Sequence, residues 1–508
     1  MDAKNLWVAS LNEAMPLTPP DFTAPQGYIL VILAFPFVSE PRASQYQEAL
    51  SHIKSRLART FSKWPCLGGQ FIAGGDTGNG WHTPPKLVYS SSGHTGLDLF
   101  PDEVFDSQVL NADGFGWTFA QLQEQHGPAV AMDKDTLLNL PPTNPGPGEG
   151  CHPVTLRATF IDGGLLLGFG LHHGIMDGGA VIDFLSCFSG VDTPNAAADA
   201  DSFEKLIKQK ANFHTLTSSC VVEAPVDTAS MTDYDFDESH EAPADPAPGT
   251  AKILPLSASV VDRIRRDVLE YVKNTYGSEA FVSTSDVICA LTWVFVTRAR
   301  AARGGVAIDE VSRFATAVDI RSKILPSLPS GGQSYFGNMF LRVLAFAKVS
   351  ELIGPIPTSD GTGSTSTSNG TPYIALAALR IREAITSLSS PTHLRKHLAI
   401  AALNRNHTLV DIAVRRAINR GVSGVDASMW VGLGADLNFR IPGTGGSGKP
   451  TFVRRAYSPF SGAVNVMPRV GGTKGDKDWE VLLALRTEDM DFLLRREELG
   501  GLLVNKHL

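Results

Sequence analysis

The chain has 508 residues, 43% of them hydrophobic and 19% charged, and a formal net charge of −8. That length exceeds one ordinary domain and suits two large ones, each with ample apolar material for a core. An acidic chain with a pI of about 5.9 argues against nucleic acid or an anionic membrane as partner, and no apolar run reaches the ~18 residues of a membrane span. Cys66, Cys151, Cys187, Cys220 and Cys289 form an odd set without paired spacing, which suits a reducing compartment. Residues 1–17 lack the basic-then-apolar pattern of a secretion signal, so the expected location is cytoplasmic.

In chain order, Leu17-Thr18-Pro19-Pro20-Asp21 precedes a strand-like run at residues 28–37. Residues 44–62 then carry Leu50, Ile53, Leu57 and Phe61 at helical spacing, and the helix should stop at Pro65 and the glycines after it. Residues 154–161 and 165–171 read as the arms of a hairpin about Asp162-Gly163-Gly164, a strong short turn signal. The second arm is a continuous apolar run, as a strand buried on both faces would be. It delivers His172 and His173 into the turn of HHGIMDGG, after which Val181, Phe184, Leu185 and Phe188 mark a helix.

A histidine at the end of a buried strand, held by a glycine-rich turn, is well placed to act as a general base. The skeleton His-x-x-x-Asp is weak by itself, since it also occurs at His94/Asp98 and His407/Asp411. Only His173, with Asp177, has the strand, the doubled histidine, the Asp-Gly-Gly and the following helix. His172 reads as structural. The two histidines point to opposite faces of a strand and have no third ligand at a known spacing, so no metal is assigned. Asp177 also suits the N-cap of the helix.

Further on, Glu223, Asp227, Asp233, Asp235, Asp237, Glu238, Glu241 and Asp245 stand without a Lys or Arg among them. This reads as an exposed acidic crossover. Val260, Ile264, Val268, Tyr271 and Val272 give the first helical stripe beyond it, and Ser283 to Asp286 caps the next helix. A Gly/Ser/Thr-rich loop at 358–371 leads into helical patterning to about residue 419. The end of the chain, with Val464 and Trp479, reads as paired strands and carries Arg454, Arg455, Arg469, Lys474 and Lys477. These cations read as candidates for phosphate groups or, equally, as solvated strand-edge charges.

HHGIMDGG resembles the HHxxxDG signature of CoA-dependent acyltransferases of the chloramphenicol-acetyltransferase-like superfamily. The chain is most similar to the BAHD acyltransferases, in particular fungal secondary-metabolite acetyltransferases of the trichothecene 3-O-acetyltransferase type. Ala317-Val318-Asp319-Ile320-Arg321-Ser322-Lys323 and Tyr335-Phe336-Gly337-Asn338 resemble the family's Asp-x-Arg-x-Arg and Phe-Gly-Asn segments, with Lys323 in place of the second arginine. Asp436-Leu437-Asn438-Phe439-Arg440 occupies the place of Asp-Phe-Gly-Trp-Gly and keeps only Asp436.

The resemblance implies an α/β fold of two chloramphenicol-acetyltransferase-like domains, each a mixed sheet flanked by helices, with a tunnel between them and His173 at its middle. The expected divisions are residues 1–192, an acidic linker at 193–251, and a CoA-side half at 252–508. His173 would take the proton from an acceptor hydroxyl as it attacks an acyl-CoA, most plainly acetyl-CoA. Asp177, Arg321 and Asp436 would be structural at the site, with Arg321 pairing with Asp177. No CoA-contacting residue is assigned, no cofactor is held permanently, and the chain is expected to act as a monomer. Competing readings are a condensation-like enzyme using carrier-protein-bound acyl groups, an N-acyltransferase on an amine, and a binding protein on a degenerate fold.

Overall fold

The structure is a computed structural model. It describes residues 11–495 apart from 76–82, 91–94, 100, 142–149, 192–198, 224–226, 238, 240–248, 329–333, 354–369, 404–407, 420–423 and 459–461. Among the described residues the strands form three sheets. A small antiparallel sheet has the order β1 (Glu13–Met15), β4 (Lys86–Tyr89), β3 (Gln70–Ile72), β6 (Gly150–Cys151). A five-stranded sheet runs β13 (Phe452–Arg455), β2 (Tyr28–Pro36), β8 (Gly164–His172), β7 (Val154–Ile161), β5 (Phe105–Val109). A six-stranded sheet runs β11 (Phe340–Lys348), β10 (Val311–Asp319), β12 (Val425–Met429), β14 (Ala463–Val466), β15 (Trp479–Arg486), β9 (Gly249–Leu256). The two larger sheets are mixed: β5 runs parallel to β7, and β12 runs parallel to both β10 and β14.

The five-stranded sheet is built around β8, in which every residue is buried. Its register with β2 sets Tyr28 opposite His172, and with β7 sets Ile161 opposite Gly164. The β7–β8 turn needs a left-handed residue, which Gly163 supplies at φ +75°. Helices cover the sheet. α1 (Ala43–Lys63) buries Ala49, Ile53, Leu57 and Phe61, with Leu50 at the margin. α2 (Gly178–Ser189) buries Val181, Phe184, Leu185 and Phe188, and Phe169 of β8 meets Phe184 and Phe188 edge-on.

Two departures from the sequence reading concern the divisions of the chain. The stretch 193–251 is not simply a linker. It contains α3 (Asp199–Glu223), whose Leu206, Phe213 and Cys220 enter the core of the first half, and its last residues open β9. Met231, Asp233, Tyr234 and Asp235 are also buried. The acidic composition hid this, because a buried carboxylate satisfied by backbone looks the same in sequence as a solvated one: the Leu344 N–H donates to Asp233 at 2.7 Å.

The second departure is that the half at 252–508 is not self-contained. β13 pairs antiparallel with β2, from Phe452 opposite Ala34 to Arg455 opposite Val31. It thereby satisfies the backbone groups on that edge of the first sheet. The second core is built on α4 (Ala258–Tyr276), α5 (Thr284–Ala302) and α6 (Thr371–Ser387). α5 starts on a capping box in which Ser283 and Asp286 satisfy each other's backbone N–H groups. The patterning up to residue 419 resolves into α6, α7 (Pro391–Leu403) and α8 (Thr408–Asn419).

Candidate active site

His172 ends β8, and the backbone of His173 is held just beyond it. The His173 N–H donates to the Gly27 carbonyl at 2.7 Å, and the His173 carbonyl accepts from Asn338 Nδ2 at 2.8 Å. The two rings diverge, as neighbours on extended chain must. His172 is buried between Phe71, 4.0 Å away centroid to centroid, and Tyr28, at 5.1 Å. Its Nδ1 accepts the Gly174 N–H at 3.2 Å, so the proton of the neutral ring sits on Nε2. Burial, reinforced by the neighbouring His173, pushes the His172 pKa down to about 3.

The half-buried His173 ring turns instead towards Phe340 at the start of β11, 5.5 Å away. Its Nδ1 is buried and has no hydrogen-bond partner among the described residues. Burial lowers the His173 pKa. Its own carbonyl and the Asp177 charge oppose that shift, and Arg342 adds to it.

Asp177 makes no hydrogen bond to His173. Its Oδ1 accepts the Ala180 N–H at 3.0 Å and Arg321 Nη2 at 2.7 Å; its Oδ2 accepts Arg321 Nη1 and the Met339 N–H, both at 2.9 Å. It is thus the N-cap of α2 and the partner of Arg321 at once. Arg321 also donates to the carbonyls of Tyr335, at 3.1 Å, and Gly337, at 2.8 Å. Burial disfavours the guanidinium charge, but Asp177 and then Asp319 more than compensate, so the Arg321 pKa is raised. Gly179 leaves room for this contact, since a Cβ there would lie 2.9 Å from Arg321 Nη1.

Three residues with no assigned role in the sequence complete the network. Asn338 donates to Asp21 Oδ1 from both its backbone and its side chain at 3.0 Å. Asp21 Oδ2 accepts Lys210 Nζ at 2.9 Å and the Thr18 N–H at 2.8 Å. Asp21 and Lys210 are almost wholly buried, and the Lys210 pKa is raised because Asp21 outweighs the burial that opposes its charge. The segments holding Asp21 and Asn338 were visible as motifs; a lone lysine on a helix gave no signal.

The other assigned residues lie apart from this network. Asp436 is exposed; it accepts the Gly471 N–H at 2.8 Å and pairs with Lys449 at 3.4 Å, joining two loops. His94 and His407 fall outside the described residues. Of the basic set, Arg454 is buried on Glu480, at 2.9 Å, and on the carbonyls of His126 and Gly127. Arg455 donates to Asn465 at 2.7 Å and Arg469 packs over Trp479, 4.2 Å from its centroid. Those three arginines are engaged with the fold, whereas Lys474 and Lys477 are exposed.

Comparison with known proteins bears on the fold and on the motif region. The profile of the Transferase family matches residues 119–356, a span that includes β7, β8, HHGIMDGG, Arg321 and Asn338. Trichothecene 3-O-acetyltransferase of Fusarium sporotrichioides is 26% identical over 93% of this chain and 92% of its own. The O-acyltransferase pigD of Monascus ruber is 24% identical over 92% and 93%. The crystal structure of the Fusarium sporotrichioides enzyme complexed with coenzyme A and T-2 has a TM-score of 0.68 at 21% identity, covering 96% of this chain and 98% of that one. Over its motif region the chain is thus similar to the Transferase family, and its two-domain fold is shared with these acetyltransferase structures.

Proposed function

We propose that the protein transfers an acyl group, acetyl in the first instance, from acyl-CoA to a hydroxyl of a secondary metabolite, with His173 as general base. The observation that carries this reading is the division of labour in the motif. Asp177 is spent on Arg321 and the start of α2, while the His173 backbone is clamped on both sides and its ring is left to act. The names of the relatives, trichothecene 3-O-acetyltransferase among them, support the substrate class.

In this mechanism His173 Nε2 accepts the hydroxyl proton as the oxygen attacks the thioester carbonyl. The tetrahedral intermediate collapses, the carbon–sulfur bond breaks, and the CoA thiolate takes the proton back from His173. No covalent enzyme intermediate is needed. The site draws on both halves of one chain, Asn338 and Arg321 from one and His173 from the other, so the catalytic unit is a monomer with substrates meeting in a tunnel between the halves. No helix among the described residues is long and apolar enough to cross a membrane. A cytoplasmic setting, where acyl-CoA is available and free thiols persist, fits the chemistry.

The test is release of CoA thiol from acetyl-CoA with a panel of hydroxylated terpenoids, with products identified by mass spectrometry. His173→Ala should lose about 10²–10⁴-fold in turnover at unchanged melting temperature. Retention of most of the turnover would refute the assignment.

A further inference from the structure

Four residues beyond Phe340 on β11, the Leu344 N–H holds Asp233 Oδ1. The other carboxylate oxygen, Oδ2, faces two histidines one turn apart on α7, His393 and His397. Their Nε2 atoms lie 3.1 Å apart, Oδ2 is 3.6 Å from His397 Nε2, and all three ligand atoms fall within 4.8 Å of one another. The i, i+4 spacing puts both rings on one helix face. His397 is completely buried, Asp233 nearly so, and His393 is half-buried. The far nitrogen of His397, Nδ1, is 2.8 Å from the Tyr234 hydroxyl.

Two imidazoles and a carboxylate make a donor set for a divalent ion of zinc type. Bonds of about 2.0–2.1 Å in tetrahedral geometry set neighbouring donors roughly 3.3–3.4 Å apart, and the separations of 3.1 and 3.6 Å bracket that value. Two of the three donors are also oriented from behind, His397 by Tyr234 and Asp233 by the Leu344 N–H. Such outer partners fix the ligands of metal centres. Hydrogen bonding alone serves the trio less well. The two rings can share one proton at 3.1 Å, but 3.6 Å is too long for a hydrogen bond from His397 to the carboxylate.

We propose that Asp233, His393 and His397 bind one zinc ion, with water in the fourth position and entry from the His393 side. The ion ties the buried stretch around Met231 and Tyr234 to α7. Its role is to fasten the crossover between the halves, independently of the acyl-transfer reading. The His393-x-x-x-His397 spacing is visible in the sequence, but its third ligand comes from the crossover and only the fold supplies it.

The test uses the tag-free full chain, stripped with a chelator, dialysed against Zn²⁺ and assayed for metal content, with melting temperatures recorded for both forms. About one equivalent per chain and a higher melting temperature with zinc are expected. His393→Ala and Asp233→Asn should each hold less than about a tenth of an equivalent, whereas His214→Ala, at an exposed histidine of α3, should bind as the parent does. Because His393 is only half-buried, the His393→Ala chain should melt like the stripped parent, which shows that it folds. Co²⁺ in place of Zn²⁺ should give the visible absorption of a four-coordinate site. Substoichiometric zinc in the parent, or full binding by His393→Ala, would overturn the proposal.

Discussion

Arg321 grips Asp177 with both terminal nitrogens across 144 residues of chain, at 2.7 and 2.9 Å. The carboxylate is therefore turned away from the chemistry and into the joint between the halves. Removing one member of such a buried pair typically costs about 3–5 kcal/mol, because the other is left uncompensated. Asp177→Asn and Arg321→Ala should each lower melting temperature and turnover together, and the double variant should lose less than the sum of the singles. Arg321→Lys should not rescue, since an ammonium cannot reach two carboxylate oxygens and two carbonyls at once. An Asp177→Asn chain with full stability but no turnover would place Asp177 in the chemistry instead.

Asn338 acts on His173 through its backbone carbonyl. Asn338→Ala should reduce kcat by about tenfold or more, as loss of base alignment does, with KM for acyl-CoA little changed. Combined with His173→Ala, the substitution should add almost nothing to the loss in kcat, because the proposed base is then already gone. An additive effect in the double variant would assign Asn338 a separate role.

Burial lowers the His173 pKa from 6.5, and in the proposed mechanism the neutral ring acts as the base. The kcat/KM profile should therefore rise with pH and reach half its plateau below 6.5, earlier than a free imidazole would allow. A half-maximum clearly above 6.5 would mean that a different group limits the acidic limb.

His172 makes a matching prediction about stability. Its pKa falls from 6.5 in the unfolded chain to about 3 in the fold, so between those values the unfolded state binds the extra proton. The stabilisation is whole above about 6.5 and is lost as the pH falls from there towards the folded value, at up to about 1.4 kcal/mol per pH unit. Chemical denaturation of His172→Gln should show a shallower slope across that window, despite a lower stability at neutral pH. An unchanged slope would show that other groups dominate acid unfolding.

The elements that frame the motif were legible because each announced itself locally: the apolar run of β8, the Asp162-Gly163 turn, the stripe of α2. HHGIMDGG stood out from its two skeletal copies for the same reason. Apart from the Arg321–Asp177 pair, which the family resemblance implied, what escaped depends on partners distant in sequence. Asp233 and Asp235 count as exposed acids in a composition window, yet the chain folds them inside. Arg454 reads as a free cation, yet Glu480 and two carbonyls surround it. Lys210 is one lysine among many until the fold sets it against Asp21.

The pairing of β13 with β2 also bears on how the chain is made. β2 leaves the ribosome well before its partner, because the strand that covers its outer edge lies more than 400 residues later. Until then the five-stranded sheet is one strand short, with the apolar β2 at an open edge, the kind of edge that recruits foreign strands. Closing so long a loop makes this a late and slow step. The nascent chain must therefore shelter that edge until β13 is made, and a product truncated before residue 452 should aggregate rather than accumulate as a half-enzyme.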